Sequence, residues 1–110
     1  MDSTLLKPTA TREDIMRHCE EAIQYHFATV VVFPFWLPRV RKALQDSDGK
    51  PATVIGFPFG ANGRSVKLFE ARTAITNGAK ELDIVINFSA LKSGERQIVE
   101  SEIKELVDIS

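Results

Sequence analysis

Cysteine is nearly missing from this chain, and so is any strong excess of charge of one sign. Cys19 is the only cysteine among 110 residues, so an internal disulfide is impossible and we expect a reducing, cytoplasmic setting. Fourteen basic residues stand against fifteen acidic ones, which gives a net charge of −1. A chain so balanced offers no electrostatic reason to bind nucleic acid or an acidic membrane surface.

Long apolar runs and the common ligand motifs are also missing. No stretch approaches the roughly 18 apolar residues that span a bilayer, and the N-terminus lacks the charged-then-apolar pattern of a secretory signal. His18, Cys19 and His26 do not have the spacing of zinc ligands. The glycine-rich segment 56–65 matches neither the dinucleotide pattern nor the P-loop pattern. We therefore expect no membrane segment, no metal and no cofactor.

What the sequence does contain is a regular alternation of short apolar strands and amphipathic helices, which is typical of parallel βαβ units. The chain has a mass of 12.3 kDa, and this size predicts a single domain over residues 1–110. Strands are predicted at residues 2–6, 28–33, 52–57 and 81–87. Thr11 is predicted to cap the first helix with Asp14 as its capping-box partner, and Ser65 to cap the helix after the third strand.

The order of these units predicts half of a TIM (βα)8 barrel. A complete barrel takes about 250 residues, and four βα units wound in one direction place every helix on the same face of a parallel sheet. The first and fourth strands then remain as unpaired edges, and the inner face of the sheet stays uncovered. Because unpaired edges are association sites, we expect a homodimer or higher homo-oligomer formed through the edge strands. A doubly wound open sheet is the structural alternative.

Several segments carry a family resemblance that covers essentially the whole chain, in order and in spacing. They are DSTLLKP at 2–8, ATVIGFP at 52–58, GAN at 60–62, ELDIVIN at 81–87 and ALKSG at 90–94. Together they resemble the N-terminal half of deoxyribose-phosphate aldolase. The resemblance implies a (βα)8 barrel and a class I aldolase, which cleaves 2-deoxyribose 5-phosphate into glyceraldehyde 3-phosphate and acetaldehyde through a lysine imine, without metal.

The resemblance also assigns roles to individual residues. Asp83 corresponds to the family's strand-four aspartate, which takes part in proton relay beside the imine lysine. Asp2 and Thr4 correspond to positions in the family's first strand, and Phe57 to a residue that lines the sugar site. The imine lysine, the second lysine that lowers its pKa and the phosphate-binding turns belong to the half of the family that has no counterpart in these 110 residues.

None of the seven lysines lies midway along a predicted strand. Lys7 and Lys92 follow the first and fourth strands, at the end where barrel active sites form. An imine-forming lysine has to be partly neutral, which requires desolvation or a nearby cation, and we expect these two ammonium groups to stay in water. Asp83 lies between Leu82 and Ile84, where an unpaired buried carboxylate is costly, so we expect it to have a partner or a raised pKa.

Two functions are therefore open. The first is a deoxyribose-phosphate aldolase-like protein that lacks the imine lysine needed for independent catalysis, with a small sugar phosphate or aldehyde as ligand. The alternative is a non-catalytic, self-associating half-barrel or small-molecule binding module. In either case we expect an aromatic rim, as a pocket or a subunit contact, formed by Phe33, Phe35, Trp36, Phe57, Phe59 and Phe88. We also consider a chain truncated relative to its family, whose other half is supplied separately.

Overall fold

The structure, a computed structural model, describes residues 2–109 and alternates strands with helices. The strands are β1 (Asp2–Leu5), β2 (Thr29–Val32), β3 (Lys50–Ile55) and β4 (Glu81–Ile84). The helices are α1 (Arg12–Gln24), α2 (Leu37–Leu44), α3 (Arg64–Thr76), α4 (Phe88–Lys92) and α5 (Arg96–Ile109), with a 3₁₀ turn at Pro34–Trp36 before α2. Within that range no helix is both long and apolar enough to cross a membrane.

All four strands form one parallel sheet in the order β1-β2-β3-β4. Each strand pairs with the next along the chain, with Thr4 opposite Val31 and Val31 opposite Ala52. Because consecutive parallel strands are joined by right-handed crossovers, this order places the helices on one face. The α/β class and the half-barrel are confirmed, and the doubly wound alternative is wrong.

The main hydrophobic core lies between the sheet and the helices. Alternate residues of each strand point into this layer, where they meet the buried stripes of the helices. Around β2 it contains Ile15, Cys19, Ala22, Val30, Val32, Val40 and Leu44. Around β3 it contains Leu37, Ile55, Leu68, Ala71, Ala74, Ala79 and Leu106. Each fully buried valine, leucine or isoleucine contributes about 1.5–3 kcal/mol, which holds the helical layer against one face of the sheet.

The inner face of the sheet is less open than the sequence predicts. Val31, Ala52 and Val54 form a separate cluster there, the inner cluster, and are 3%, 0% and 4% exposed. The half-buried side chains of Leu6 and Phe33 pack against it. Because the central side chains are small, their larger neighbours shield them from water. The prediction of an uncovered inner face is therefore wrong at its centre.

Two helix N-termini test the capping predictions. The Thr11 side-chain oxygen accepts from the Asp14 N–H at 3.2 Å, and the Thr11 N–H donates to the Asp14 carboxylate at 2.9 Å. The capping box of α1 is therefore confirmed. The prediction for α3 is wrong, because the helix begins at Arg64 and its N-cap is Gly63 rather than Ser65.

The fourth strand is shorter than its sequence pattern, because it ends at Ile84 rather than at residue 87. One bond of the ladder continues beyond the strand, from the Val85 N–H to the Ile55 carbonyl at 2.9 Å. The loop after β3 then passes so close that a Cβ on Gly60 would clash with the Ile86 carbonyl oxygen. This crossing occupies the space where the ladder would continue, and the chain turns into α4.

Candidate functional site

Asp83 lies on the inner face of the sheet, in the edge strand β4. Along this strand the exposed residues Glu81 and Asp83 alternate with Leu82 and Ile84, which pack into the helical layer. In register Asp83 lies opposite Val54, so its side chain and the inner cluster share one face. The Asp83 side chain is exposed, so the cost of burying an unpaired carboxylate does not arise here.

Phe57 lies in the loop that joins β3 to α3. Gly56 precedes it with a φ of +70°, in the left-handed region that favours glycine, and the Phe57–Pro58 peptide bond is cis. The Phe57 ring packs edge-on against Phe33, with 5.6 Å between the centroids and 66° between the planes. Because Phe33 packs on the inner cluster, Phe57 lies at the carboxyl end of the face that carries Asp83.

Thr4 belongs to the opposite edge strand. It is exposed and lies opposite Val31 in register, whereas Ser3 before it is buried toward the helices. Strands β2 and β3 separate β1 from β4, a path of roughly 14 Å along the sheet at about 4.8 Å per strand. The fold therefore places Thr4 and Asp83 at opposite borders of one face. Asp2 begins β1 with its backbone, but its side chain lies outside the described part of the chain.

The two lysines considered at the carboxyl ends of the strands are both exposed. Lys7 lies in the turn after β1, and Lys92 is the last residue of α4. Neither has the burial that keeps an imine-forming amine partly neutral. Among the four described strands the one lysine is Lys50, which begins β3. It lies four residues before the row that contains Asp83, or about 13 Å along the strand.

One lysine is fully buried, on the helical side of the sheet. Lys67 of α3 is 0% exposed, and its Nζ donates to Glu102 Oε1 of α5 at 2.6 Å and to the Val85 carbonyl at 3.2 Å. Glu102 is 7% exposed, so both charges are removed from water and compensate each other. The pair joins two helices to the chain just beyond β4.

Lys67 also supports the loop after β3. A Cβ on Gly56 would lie 2.8 Å from Lys67 Cε, so the lysine stem fills the space that the glycine leaves. The Gly56 N–H donates to the Glu70 carboxylate at 2.7 Å, and the Gly60 N–H donates to the Gly56 carbonyl at 2.6 Å. One network behind the sheet thus fixes the ends of β3 and β4, the two strands whose residues form the candidate site.

Sequence reasoning missed this pair, although the signal was available. Lys67 lies four residues before Ala71 on the buried stripe of α3. Glu102 lies between Val99 and Leu106 on the buried stripe of α5. Charges of opposite sign on the buried stripes of two helices predict a buried ion pair.

Two further polar groups lie in the helical layer rather than in the site. Ser3 shares a hydrogen bond of 2.8 Å with His18 Nδ1. Cys19 is buried, and desolvation together with the Glu20 charge raises the pKa of its thiol to about 11. Its thiolate is therefore scarce at neutral pH. Across residues 2–109, no three His, Cys, Asp or Glu side chains gather as metal ligands would.

The aromatic residues expected at one rim form separate contacts. Phe33 packs with Phe57, while Phe35 packs with Trp36 at 4.9 Å between ring centroids. Trp36 also packs against the core around β2. The most exposed members of the set are Phe35, Phe59 and Phe88.

A parallel sheet wound in one direction, with helices on one face and an exposed acid on the other, is half of an α/β barrel. The sequence model of the DeoC/LacD family aldolases matches residues 1–109. The chain therefore belongs to this family, which confirms the resemblance carried by its strand segments.

Curated relatives agree with the family model. The deoxyribose-phosphate aldolase of Geobacillus sp. (strain WCH70) is 49% identical over 110 residues, a match that covers 100% of this chain and 49% of the relative. That of Streptococcus gordonii is 50% identical and is covered to 50% of its length. The chain spans about half the length of the curated relatives it matches.

Solved structures give the same result for the fold. The aldolase QR15 superposes with a TM-score of 0.93 at 34% identity, over 100% of this chain and 49% of that one. The deoxyribose-phosphate aldolase of Aeropyrum pernix gives a TM-score of 0.75 at 36% identity, over 92% and 46%. The latter protein is described as having a unique tetrameric structure. In both superpositions this chain covers slightly less than half of the solved chain, as expected for a half-barrel.

Proposed function

We propose that this chain supplies one half of a class I aldolase barrel that acts on 2-deoxyribose 5-phosphate, and that it lacks independent aldolase activity. The observation that carries the proposal is the exposed Asp83 carboxylate on the inner face, which in a closed barrel is the lumen. In the assembled barrel Asp83 relays protons beside the imine lysine, and Asp2, Thr4 and Phe57 form part of the substrate-binding wall. Membership of the aldolase family supports this reaction.

The amine that forms the imine has to come from outside these residues. Lys7 and Lys92 are exposed, and Lys67 is bound to Glu102 on the other side of the sheet. In a reaction of this class the amine attacks the sugar carbonyl and water leaves as the imine forms. Cleavage of the bond between the α and β carbons of the imine then releases glyceraldehyde 3-phosphate and leaves an enamine, which is protonated and hydrolysed to acetaldehyde and the free amine. These steps need a group that accepts and returns protons, and Asp83 is the candidate for it.

A chimera tests this proposal. Residues 1–110 are joined to the second half of the Geobacillus relative, and the release of acetaldehyde from 2-deoxyribose 5-phosphate is measured. We expect activity in the chimera, none in this chain alone, and a loss of about 100-fold or more in the Asp83→Asn chimera. Glu81→Gln is the matched control, because Glu81 is an exposed acid two residues earlier on the same face, and it should keep the activity.

Reduction with borohydride in the presence of acetaldehyde gives a second test. Mass spectrometry should find a reduced adduct on a lysine of the added half in the chimera, and no adduct on this chain alone. An adduct on Lys7 or Lys92 of the isolated chain would contradict the proposal, as would a folded chimera without activity.

We also propose that the isolated chain forms a homodimer through its edge strands. Among the described strands, β1 and β4 each have one neighbour and leave a row of backbone N–H and C=O groups free to pair. A groove of about 470 Å³ follows β4, lined by residues 79–84 between Ile75 and the exposed Val107. The β1 strand of a second copy fits beside β4 in this groove. The same feature favours the alternative function for the isolated chain, a non-catalytic self-associating half-barrel or binding module.

Light scattering over a range of concentrations measures this association. We expect the mass of two chains, and a stable monomer at high concentration would contradict the edge pairing. With one cysteine, buried and unable to form an internal disulfide, we propose a cytoplasmic location for the protein.

A further inference from the structure

A cavity lies at the amino ends of β3 and β4, the opposite end of the strands from the loop that carries Phe57. Its volume is about 500 Å³, within the range of about 300–1,000 Å³ found for small-molecule sites. Helix α2 ends at its border, and Leu44 and Pro51 provide part of an apolar wall. No step of the proposed aldolase reaction uses this cavity.

Three cationic residues line the cavity: Arg41, Lys50 and Lys80. Asp48 is the one carboxylate among its lining residues, so three positive charges against one negative leave two in excess. The whole chain, by contrast, has a net charge of −1. Among the ion pairs of residues 2–109, none involves any of these three cations. Their charges are therefore available to a ligand.

The backbone brings the three cations together from separate segments. The Lys80 N–H donates to the Pro51 carbonyl at 2.7 Å, which sets Lys80 beside Pro51, the residue that follows Lys50 at the start of β3. The aliphatic stem of Arg41 crosses Gly78 so closely that a Cβ on Gly78 would clash with it. Gly78 has a φ of +105°, a conformation that also favours glycine. The fold therefore positions Arg41 against the turn that leads to Lys80.

The ends of the helices account for only part of this charge. The carbonyl groups at the C-terminus of α2 carry partial negative charge, which favours a cation in the last turn, where Arg41 lies. Lys50 and Lys80 lie beyond the last turns of α2 and α3, where this effect has fallen off. Like charges around one cavity repel each other, and a bound anion removes that repulsion.

We propose that this cavity binds a phosphomonoester. A phosphate monoester carries nearly two negative charges at neutral pH, which matches the two positive charges in excess. Its oxygens accept hydrogen bonds from Lys50 and Lys80, and the planar guanidinium of Arg41 suits two-point contact with phosphate. The organic part of the ligand then rests against Leu44 and Pro51.

Titration of the isolated chain with phenyl phosphate, followed by amide NMR, tests this site. The signals of Gly49 and Gly78 should shift and saturate, and inorganic phosphate should compete for the same signals. The double variant Lys50→Gln/Lys80→Gln should weaken the phenyl phosphate Kd about ten-fold or more, because it removes charged donors.

A matched control removes the same charge elsewhere. Lys92→Gln/Lys104→Gln replaces two exposed lysines outside the cavity and should leave the Kd unchanged. All four lysines are exposed, so both double variants should keep the dispersed spectrum of the folded chain. Equal weakening in the two double variants would overturn the proposal, because it would assign the binding to general electrostatics. Shifts centred on other residues, shifts that do not saturate, or no competition by inorganic phosphate would overturn it as well.

Discussion

Lys67 and Glu102 form a buried ion pair of 2.6 Å between α3 and α5, and a second pair joins the same helices at the surface, where Arg64 contacts Glu105. The buried pair also holds the carbonyl of Val85, just beyond β4. A buried pair is costly to break from one side, because the remaining charge stays out of water without compensation. Its main role in this fold is therefore to fix the positions of two helices and one strand end.

Lys67→Met should lower the free energy of unfolding by about 3–5 kcal/mol, because Glu102 then remains buried without a partner. The double variant Lys67→Met/Glu102→Leu should be more stable than Lys67→Met, because it removes both buried charges. Urea denaturation of the two proteins measures the difference. Glu100→Gln, which breaks the exposed Arg96–Glu100 pair, is the control and should change stability by no more than about 1 kcal/mol. A double variant less stable than the single one would contradict this account of the pair.

Gly60→Ala should destabilise the fold more than Gly94→Ala. Both glycines have positive φ values, +68° and +83°, where a Cβ costs about 1–2 kcal/mol. A Cβ on Gly60 would in addition clash with the Ile86 carbonyl, whereas a Cβ on Gly94 meets nothing within 4 Å. Thermal unfolding of the two variants separates close approach from backbone conformation. Equal losses of stability in the two variants would show that the close approach of Gly60 to Ile86 does not contribute to the stability of the fold.

Acid should weaken the fold partly through Asp14. The pKa of the Asp14 carboxyl is lowered mainly by the hydrogen bond that it accepts from the Thr11 backbone N–H. The Thr11 side chain lowers the same pKa by a smaller amount. Because the folded-state pKa lies below the unfolded one, the contribution is present above the unfolded pKa and is lost as the pH falls through the folded one. In the Asp14→Asn variant the free energy of unfolding, measured in urea, should therefore fall less steeply as the pH is lowered from about pH 7 to about pH 2. Asp46→Asn, an exposed aspartate outside any helix, is the control and should leave that pH dependence unchanged.

Cys19 should resist thiol reagents in the folded protein and react once urea has unfolded it. Burial raises the pKa of the thiol from 9.0 to about 11, so little thiolate exists at about pH 8. Because the pKa of the thiol is higher in the folded protein than in the unfolded chain, the neutral thiol contributes to stability below pH 9. This contribution is lost as the pH rises toward about 11. Cys19→Ala should remove this alkaline loss. Rapid modification of the folded protein would contradict the burial of the thiol.

The fold was largely predictable because its signals are local. Apolar stretches separated by amphipathic helices fix the number and order of the strands, and the Thr11–Asp14 box fixes the start of α1. The end of β4 and the cap of α3 were not predictable in this way. The first depends on the close approach of Gly60 to Ile86, which is a contact between segments, and at the second a glycine takes a position where sequence favours serine.

The candidate site was predictable only in part. The family resemblance singled out Asp83, but the exposure of its side chain follows from its position in an edge strand. Thr4 lies at the other border of the sheet, a separation that the sequence does not reveal. The cavity formed by Arg41, Lys50 and Lys80 was missed because its residues come from three segments and none of them forms a motif.

The order of the sheet has a consequence for how the chain is synthesised. Every strand after β1 pairs with the strand translated immediately before it, so each new βα unit can pair with a strand that has already left the ribosome, and each closure spans only one helical crossover. Gene duplication or fusion that adds a unit at either border leaves the earlier ladders undisturbed. A fold assembled in this way can grow in evolution by the same increments in which it is made.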